Sequence, residues 1–222
     1  MDLLEQLKCN KGTVSSALGK ELALEVLNGD KTLLEQAIDL VTYDLENQNA
    51  KGIRAGAAKI LEKVAEKRPD LLANQLDKLE PALTVKEPQT RWMLMQVFGY
   101  CAKLNPGSSK SVLPHATRYL TENAGVCLSG AVYLYLGRIG STSAETANTV
   151  LPILDDALKT ASENEIDWIL EGFLNILDNV DPGSKQLITR SAEIQTDAKK
   201  KSTRNRAMKI IEKISDNGKR KN

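Results

Sequence analysis

The chain has 222 residues, of which 41% are hydrophobic and 27% charged, and its formal net charge is +1. This balance is typical of an ordinary globular protein, and the length allows one large domain or an array of small units. Aromatic residues make up only 4% of the chain, which favours helices over sheets. No apolar run approaches the roughly 20 residues of a membrane span, so no membrane-spanning segment is predicted.

The first residues and the cysteines predict a cytoplasmic protein. Residues 1–10 lack the basic region followed by an apolar region that marks a secretory signal. The three cysteines, Cys9, Cys101 and Cys127, are odd in number and lack metal-ligand spacing, which suits a reducing compartment. We therefore predict no cofactor and no metal site.

Six amphipathic helices that share one register are predicted along the chain. Their approximate bounds are 13–28, 50–67, 88–104, 124–140, 163–179 and 200–215. One aligned position holds Leu61, Phe98, Leu136, Leu174 and Ile211 at nearly equal steps. The positions of Ala57, Ile60 and Val64 also stay apolar in these five segments. The first segment is a degenerate copy, because Lys20 interrupts the position of Ala57. The sequence thus repeats with a period of about 38 residues.

Shorter apolar segments lie between these helices and complete the repeat unit. Val-Leu-Pro occurs at 112–114 and again at 150–152, and a proline there bends a helix or begins it anew. Turn signals separate the units at 28–30, 68–70, 105–107 and 181–183. The predicted unit is helix, turn, helix, turn. Because neither helix can bury its apolar stripe alone, the pairs must stack on their neighbours.

The helix at 50–67 opens with Ile53-Arg54 and continues with Ala57-Ala58 and Leu61. Together with the paired helices and the proline-bearing first helices, this pattern resembles the HEAT repeat of the armadillo-like superfamily. The resemblance covers roughly residues 30–216 and implies an all-α fold, a right-handed α-α superhelix (solenoid) of about five to six HEAT-like helix pairs. We expect a single repeat domain over residues 1–222. The family consists mostly of scaffolds and transport or assembly factors, so the resemblance implies little about chemistry.

Trp92 and Trp168 are two full repeats apart and share one repeat position with Ala55, Gly130 and Asn205. At roughly 100° per residue, this position lies well away from the apolar stripe. The second helices of HEAT-like solenoids line the concave face, so both rings are candidate anchors for a protein partner. The alternative is that they wedge between neighbouring repeats as peripheral core.

Arginines recur at another position of the second helix, at Arg54, Arg91 and Arg204, while Ser129 and Asp167 depart from this pattern. The family resemblance implies a structural role, in which each arginine bridges to a polar group of an adjacent turn. Binding of phosphate or of an acidic partner is the alternative for these side chains.

The end of the sequence is basic and the segment before it is acidic. Residues 199–222 hold ten Lys or Arg against two acidic residues, whereas residues 155–181 hold eight acidic residues against Lys159. The candidate partner-binding residues of this basic run are Lys199, Lys200, Lys201, Arg204, Arg206 and Lys209. They could contact nucleic acid, an anionic membrane surface or an acidic protein. The alternatives are a solvated capping face or pairing with the acidic segment. That segment lacks the spacing and the glycine of a Ca²⁺ loop, so we interpret it as a solvated face.

No catalytic residue is predicted, because the sequence lacks the G-x-S-x-G, P-loop and G-x-G-x-x-G motifs. The leading hypothesis is a non-enzymatic adaptor or scaffold without a small-molecule substrate, which binds a protein partner through its concave face or its basic C-terminal end. Nucleic-acid binding through the basic final helix is the alternative. Trp92, Asp167 and Trp168 invite comparison with HEAT-like alkylpurine DNA glycosylases, but the acidic balance of residues 1–198 argues against gripping a duplex.

Overall fold

The described chain consists of helices joined by turns and short irregular connections. The computed structural model describes residues 2–9, 17–122 and 124–219, and these contain no β-strand. The α-helices are α1 (Leu3–Cys9), α2 (Ala17–Leu27), α3 (Lys31–Leu40), α4 (Lys51–Lys67), α5 (Leu76–Leu79), α6 (Pro88–Cys101), α7 (Pro106–Ser111), α8 (Leu113–Glu122), α9 (Val126–Gly140), α10 (Ala144–Thr160), α11 (Ile166–Ile176), α12 (Pro182–Ile194) and α13 (Lys201–Lys219). The predicted all-α class is confirmed.

The segments expected as second helices correspond to α2, α4, α6, α9, α11 and α13, and α13 continues to Lys219, beyond the expected end at 215. Residues 13–16 of the first expected segment lie outside the described residues. The sequence did not predict α1, which precedes this series and packs against α3 and α4. Its Leu3 and Leu7 are buried, so this short helix is held by apolar contacts with its neighbours.

The apolar positions of the repeat form the core. Ala57, Ile60, Leu61 and Val64 of α4 are fully buried. The aligned residues of α6 are fully buried as well: Leu94, Val97, Phe98 and Cys101. Each large aliphatic side chain removed from water in this way contributes about 1.5–3 kcal/mol. Burial becomes partial at a few aligned positions of α11 and α13, namely Leu174, Ile211 and Ile214.

Polar side chains begin several of the helices at the turns that the sequence indicated. Asp30 accepts a hydrogen bond from the backbone N–H of Leu33 at 2.9 Å and caps α3. Asn105 caps α7 and Asp181 caps α12 in the same way. Gly29 precedes the first of these caps with a φ of +112°, a conformation that glycine adopts without a Cβ clash. These side chains satisfy amide groups that have no partner within their own helix.

One first-helix segment of the repeat departs from the predicted pattern. Between α4 and α6, the structure has three 3-10 helices, Pro69–Leu71, Ala73–Gln75 and Glu80–Thr84, around the one-turn α5. Pro69 and Pro81 each lie in the first turn of a 3-10 helix, where the missing N–H removes no hydrogen bond within the helix. The two Val-Leu-Pro prolines behave differently: Pro114 lies at the start of α8, whereas Pro152 lies inside α10.

The chain divides into two compact units, Met1–Val132 and Tyr133–Asn222. In the first unit, α4 packs against α2, α3 and α6. In the second unit, α11 packs against α10 and α13, and α12 also packs against α13. Stacking of successive second helices therefore occurs within each unit. The expectation of a single repeat domain over residues 1–222 stays a prediction.

The second unit contains a close approach between helix backbones. A Cβ atom added at Gly137 of α9 would lie 2.6 Å from the Cα of Gly172 in α11. Contacts under about 3 Å are sterically forbidden for real side chains, so both helices depend on the missing Cβ here. These glycines bring α9 and α11 into direct backbone contact.

Candidate functional site

Arg54 is a fully buried arginine that joins two successive second helices of the first unit. Its Nη1 donates hydrogen bonds to the backbone carbonyls of Tyr43, Asp44 and Asn47, in the turn before α4. Its Nε and Nη2 donate to the two carboxylate oxygens of Glu87 at 2.6 and 3.1 Å. Glu87 is the residue before α6 and is only 6% exposed. This bidentate geometry is the strong form of the arginine–carboxylate pair.

Arg91 has a similar role one repeat later. One guanidinium nitrogen donates to the backbone carbonyl of Lys86 at 3.0 Å, and another pairs with Glu122 at the end of α8. The guanidinium also lies 4.9 Å from the centre of the Tyr119 ring. Burial raises the pKa of Tyr119 to about 12, and its hydroxyl donates to the carbonyl of Leu83. Both arginines therefore hold a neighbouring turn and a carboxylate.

The same repeat position carries the opposite charge in α11. Asp167 accepts hydrogen bonds from Lys200 and Arg206, at 2.8 and 2.9 Å. Arg54 and Asp167 each reach a partner at the same separation along the chain, Glu87 and Lys200, and these partners also share a repeat position. The ion pair between successive second helices is thus kept with its charges exchanged. Opposite charges that recur at this separation are the sequence signal that would have identified both pairs.

The final basic helix pairs extensively with the acidic segment before it. Arg206 also binds Glu171 at 2.8 Å, and Lys213 binds Asp178 at 2.7 Å. Of the six basic candidates, Lys199, Lys201 and Lys209 are exposed and have no ion-pair partner among the described residues. The pairing that the sequence left open as one alternative is present in the structure, and it neutralises part of the basic run.

The two tryptophans lie at intermediate depth. Trp92 is half-buried, and the ammonium group of Lys59 lies 5.4 Å from the centre of its ring. Trp168 is half-buried as well, between the buried residues Asp167 and Ile169 of α11. At the same repeat position Ala55 is buried, so the position borders the core. Each tryptophan is therefore partly packed and partly accessible.

The described residues contain no group of three or more His, Cys, Asp or Glu side chains that could hold a metal ion. Among the helices of the described ranges, none is both long enough and apolar enough to cross a membrane. Cys101 is buried, and burial raises the pKa of its thiol to about 12. Cys9 and Cys127 are exposed free thiols.

Comparison with known proteins identifies the fold. No family model matches the chain, and no curated protein sequence matches it. A designed armadillo repeat protein superposes with a TM-score of 0.61 at 12% identity, covering 95% of this chain and 97% of that one. Two engineered proteins, each 13% identical, give TM-scores of 0.64 and 0.62. They cover 96% and 97% of this chain and 98% and 97% of their own.

The fold is that of an armadillo-type helical-repeat protein. At this level of identity the likeness shows the fold alone, and it confirms the helical-repeat architecture that the sequence predicted. An armadillo-type repeat array uses its helices both to stack and to present side chains. The buried arginines and the exchanged ion pair belong to stacking. The half-buried tryptophans and the exposed lysines are the side chains that remain available for contacts.

Proposed function

We propose that this armadillo-type protein is a non-enzymatic scaffold that binds a protein partner. The proposal rests chiefly on Trp92 and Trp168, which occupy one repeat position in the two compact units and are both half-buried. An indole ring offers a large apolar contact area with few rotatable bonds, which makes it an effective anchor for a partner. The compartment we propose is the cytoplasm, where the three free cysteines stay reduced.

The surroundings of Trp92 hold its ring in one orientation, which favours binding of a partner. Lys59 and Glu62 form an ion pair of 2.9 Å in which both side chains are largely buried. The ammonium group of Lys59 is therefore held close to the ring by its own partner as well as by the attraction between cation and aromatic face. Because this contact fixes the orientation of the ring, less rotamer entropy is lost when a partner covers the accessible side.

The charge distribution of α13 favours a protein over a nucleic acid as partner. Nucleic-acid binding depends on lysines and arginines that are free to neutralise phosphates. Lys200, Arg206 and Lys213 already pair with carboxylates of the second unit. Each would have to break its ion pair to contact a phosphate. The exposed lysines without an ion-pair partner are then the side chains that remain to attract a polyanion.

The position of Asp167 supports a binding role over base excision. A carboxylate that activates a water molecule needs an accessible oxygen with a free lone pair. Asp167 is only 6% exposed, and each of its oxygens accepts a hydrogen bond from a cation, one from Lys200 and one from Arg206. This environment stabilises the carboxylate as half of an ion pair that links α11 and α13.

Affinity capture from native cell extract, with mass spectrometry of the retained proteins, tests the proposed function. We expect the protein to retain a specific partner and the Trp92→Ala and Trp168→Ala variants to retain less of it. Leu104→Ala is the matched control, because Leu104 is a surface apolar residue of 55% exposure at another place. The unfolding free energy of each variant should stay close to that of the parent protein.

Three results would contradict the proposal. If both tryptophan variants lose several kcal/mol of unfolding free energy, about the cost of truncating a core aromatic, the rings are core residues and not anchors. If the protein instead retains DNA or RNA with an affinity that falls steeply with salt concentration, the nucleic-acid alternative replaces the protein scaffold. The base-excision alternative would be revived by release of alkylated purines from DNA by the purified protein.

A further inference from the structure

Arg204 of α13 occupies the repeat position of Arg54 and Arg91 and makes half of their contacts. Its Nη1 donates to the backbone carbonyls of Ala198 and Lys199, at 2.7 and 2.8 Å. Arg54 makes the same kind of contact with the turn before its own helix. The turn-holding half of the arginine site is therefore present at Arg204.

The carboxylate-binding half of this site is open. The Nε and Nη2 of Arg54 hold the carboxylate of Glu87, which belongs to the following repeat. Among the described residues, no carboxylate takes that place against the Nε and Nη2 of Arg204, and the side chain is partly exposed. A guanidinium edge already held in place by its Nη1 contacts is well prepared to bind a carboxylate.

Apolar residues near Arg204 on α13 are more exposed than their counterparts in α4 and α6. Met208 is 51% exposed, whereas Ala58 and Met95 at the same repeat position are fully buried. Together with the half-buried Ile211 and Ile214, Met208 makes an apolar surface beside Arg204 on α13. We call the surface of Arg204, Met208, Ile211 and Ile214 the open face.

We propose that the open face binds an amphipathic helical segment of a protein partner, which presents a glutamate or aspartate to Arg204 and apolar side chains to Met208. This inference rests on the proposed scaffold function and names the chemistry of its partner. The evidence is that Arg54 takes a glutamate at its Nε and Nη2 edge, and that the residues at the positions of Met208, Ile211 and Ile214 are buried in α4 and α6. The acidic residue of the partner takes the place that Glu87 has against Arg54.

A second copy of this chain is a poorer occupant than a separate acidic helix. In the repeat register, the position of Glu87 is held in the first copy by Thr13, a neutral residue that lies outside the described residues. A copy that stacked its first repeat on the open face would bring no carboxylate to Arg204 from that position. The open guanidinium edge therefore favours a different chain that carries an acid there.

A fluorescent peptide with the sequence of residues 85–101 and a lysine tail for solubility is the test probe, because this segment carries Glu87 against Arg54. We expect the peptide to bind the full chain, and the Glu87→Gln peptide to bind about tenfold to a hundredfold more weakly, the range for losing a hydrogen bond to a charged group. Arg204→Gln in the protein should weaken binding of the parent peptide to the same extent. It should leave the affinity for the Glu87→Gln peptide unchanged. This interdependence shows that the two side chains contact one another.

Two further variants keep the test decisive if Arg204→Gln does not fold. Met208→Glu changes an exposed side chain, so the helix should persist while binding of the parent peptide is lost. Lys103→Gln, at an exposed lysine of the first unit in the turn after α6, should leave peptide binding unchanged. Circular dichroism and thermal melting verify that each variant is folded.

Peptide binding that is unchanged by the substitutions at Glu87, Arg204 and Met208 would overturn the inference. The absence of any peptide binding would overturn it as well. Self-association of the protein that Arg204→Gln abolishes in sedimentation experiments would assign the open face to a second copy and overturn it too. The proposed function is judged separately. If a captured partner is retained by the Arg204→Gln and Met208→Glu variants, only the open-face inference falls and the scaffold function stands.

Discussion

The ion pair between Arg54 and Glu87 provides the sharpest test of how the repeats are held together. Arg54 is completely buried and Glu87 is 6% exposed. The substitution Arg54→Met keeps the length and apolar character of the stem, and removes the two hydrogen bonds to the carboxylate and three to backbone carbonyls. Breaking a buried pair by removing one partner costs about 3–5 kcal/mol, because the remaining charge is left without compensation.

Urea denaturation followed by circular dichroism measures this loss. With a slope of about 2 kcal/mol per molar urea, a loss of 3–5 kcal/mol lowers the midpoint by about 2 M. The double variant Arg54→Met with Glu87→Gln removes the buried charge as well. We expect it to cost less than the sum of the two single changes, by about 1–3 kcal/mol for groups in direct contact.

The matched control is a surface pair with a similar distance. Arg68 and Asp70 are 2.7 Å apart, and both side chains are about half exposed. Because water screens such pairs, Arg68→Ala should leave the midpoint within experimental error. If Arg54→Met behaves like Arg68→Ala, or if the changes at Arg54 and Glu87 are simply additive, the buried pair does not stabilise the repeat and the reasoning is wrong.

Three further predictions concern packing and titration. Gly137→Ala places a Cβ atom against Gly172 and should lower the unfolding free energy measured by urea denaturation by about 1–3 kcal/mol. At Gly52 an added Cβ meets no atom within 4 Å, so Gly52→Ala should raise the unfolding free energy by up to about 1 kcal/mol. Equal effects of the two substitutions would refute the close approach. Since burial raises the pKa of the Cys101 thiol to about 12, this thiol should react with a chromogenic disulfide only in denaturant, while the other two cysteines react at once. Burial, reinforced by a neighbouring arginine, lowers the pKa of His115 below 6.5, so NMR titration should give a midpoint below that value. The folded state then binds this proton less readily than the unfolded state, so the stability contribution is present above pH 6.5 and declines below it; a midpoint above 6.5 would contradict the sign.

The core of the repeat was predictable because a helix repeats its direction about every 3.6 residues. A side chain such as Ile60 that lies on the apolar stripe of one helix has counterparts on every later second helix. Ile60 and its counterparts Val97, Tyr135, Phe173 and Ile210 are all fully buried. Local pattern and global packing agree at this position, so the sequence alone identifies the residue as core.

The partners of the charged residues were harder to predict, because a charge pairs with whatever the fold brings near it. The sequence indicated that Arg54 and Arg91 have structural roles, but nothing local points from Arg54 to Glu87 or from Asp167 to Lys200. The segment 155–181, interpreted as a solvated face, contains Asp167, which is buried in its pair with α13. Sequence reasoning offered this pairing only as one alternative among several for the basic run.

The broken first helix between α4 and α6 shows a second limit. Leu72, Leu76 and Leu79 are buried and follow a helical spacing, which predicted a regular helix. Pro69 and Pro81 lie in the first turns of two 3-10 helices, and the short 3-10 and α-helical turns of this segment still bury the leucines. Apolar spacing therefore predicted what is buried here but not the type of helix.

The sequence by itself determined the all-α class, the existence and period of the repeat, and the apolar positions of each second helix. These follow from short-range geometry, since the helical period and the turn residues are readable within one repeat. Only the tertiary structure decided which charges pair between successive repeats, how deeply Trp92 and Trp168 are packed, and that Arg204 keeps an open carboxylate-binding edge. These features depend on which surfaces of successive helices meet, and the distance between stacked helices is not encoded in any one segment.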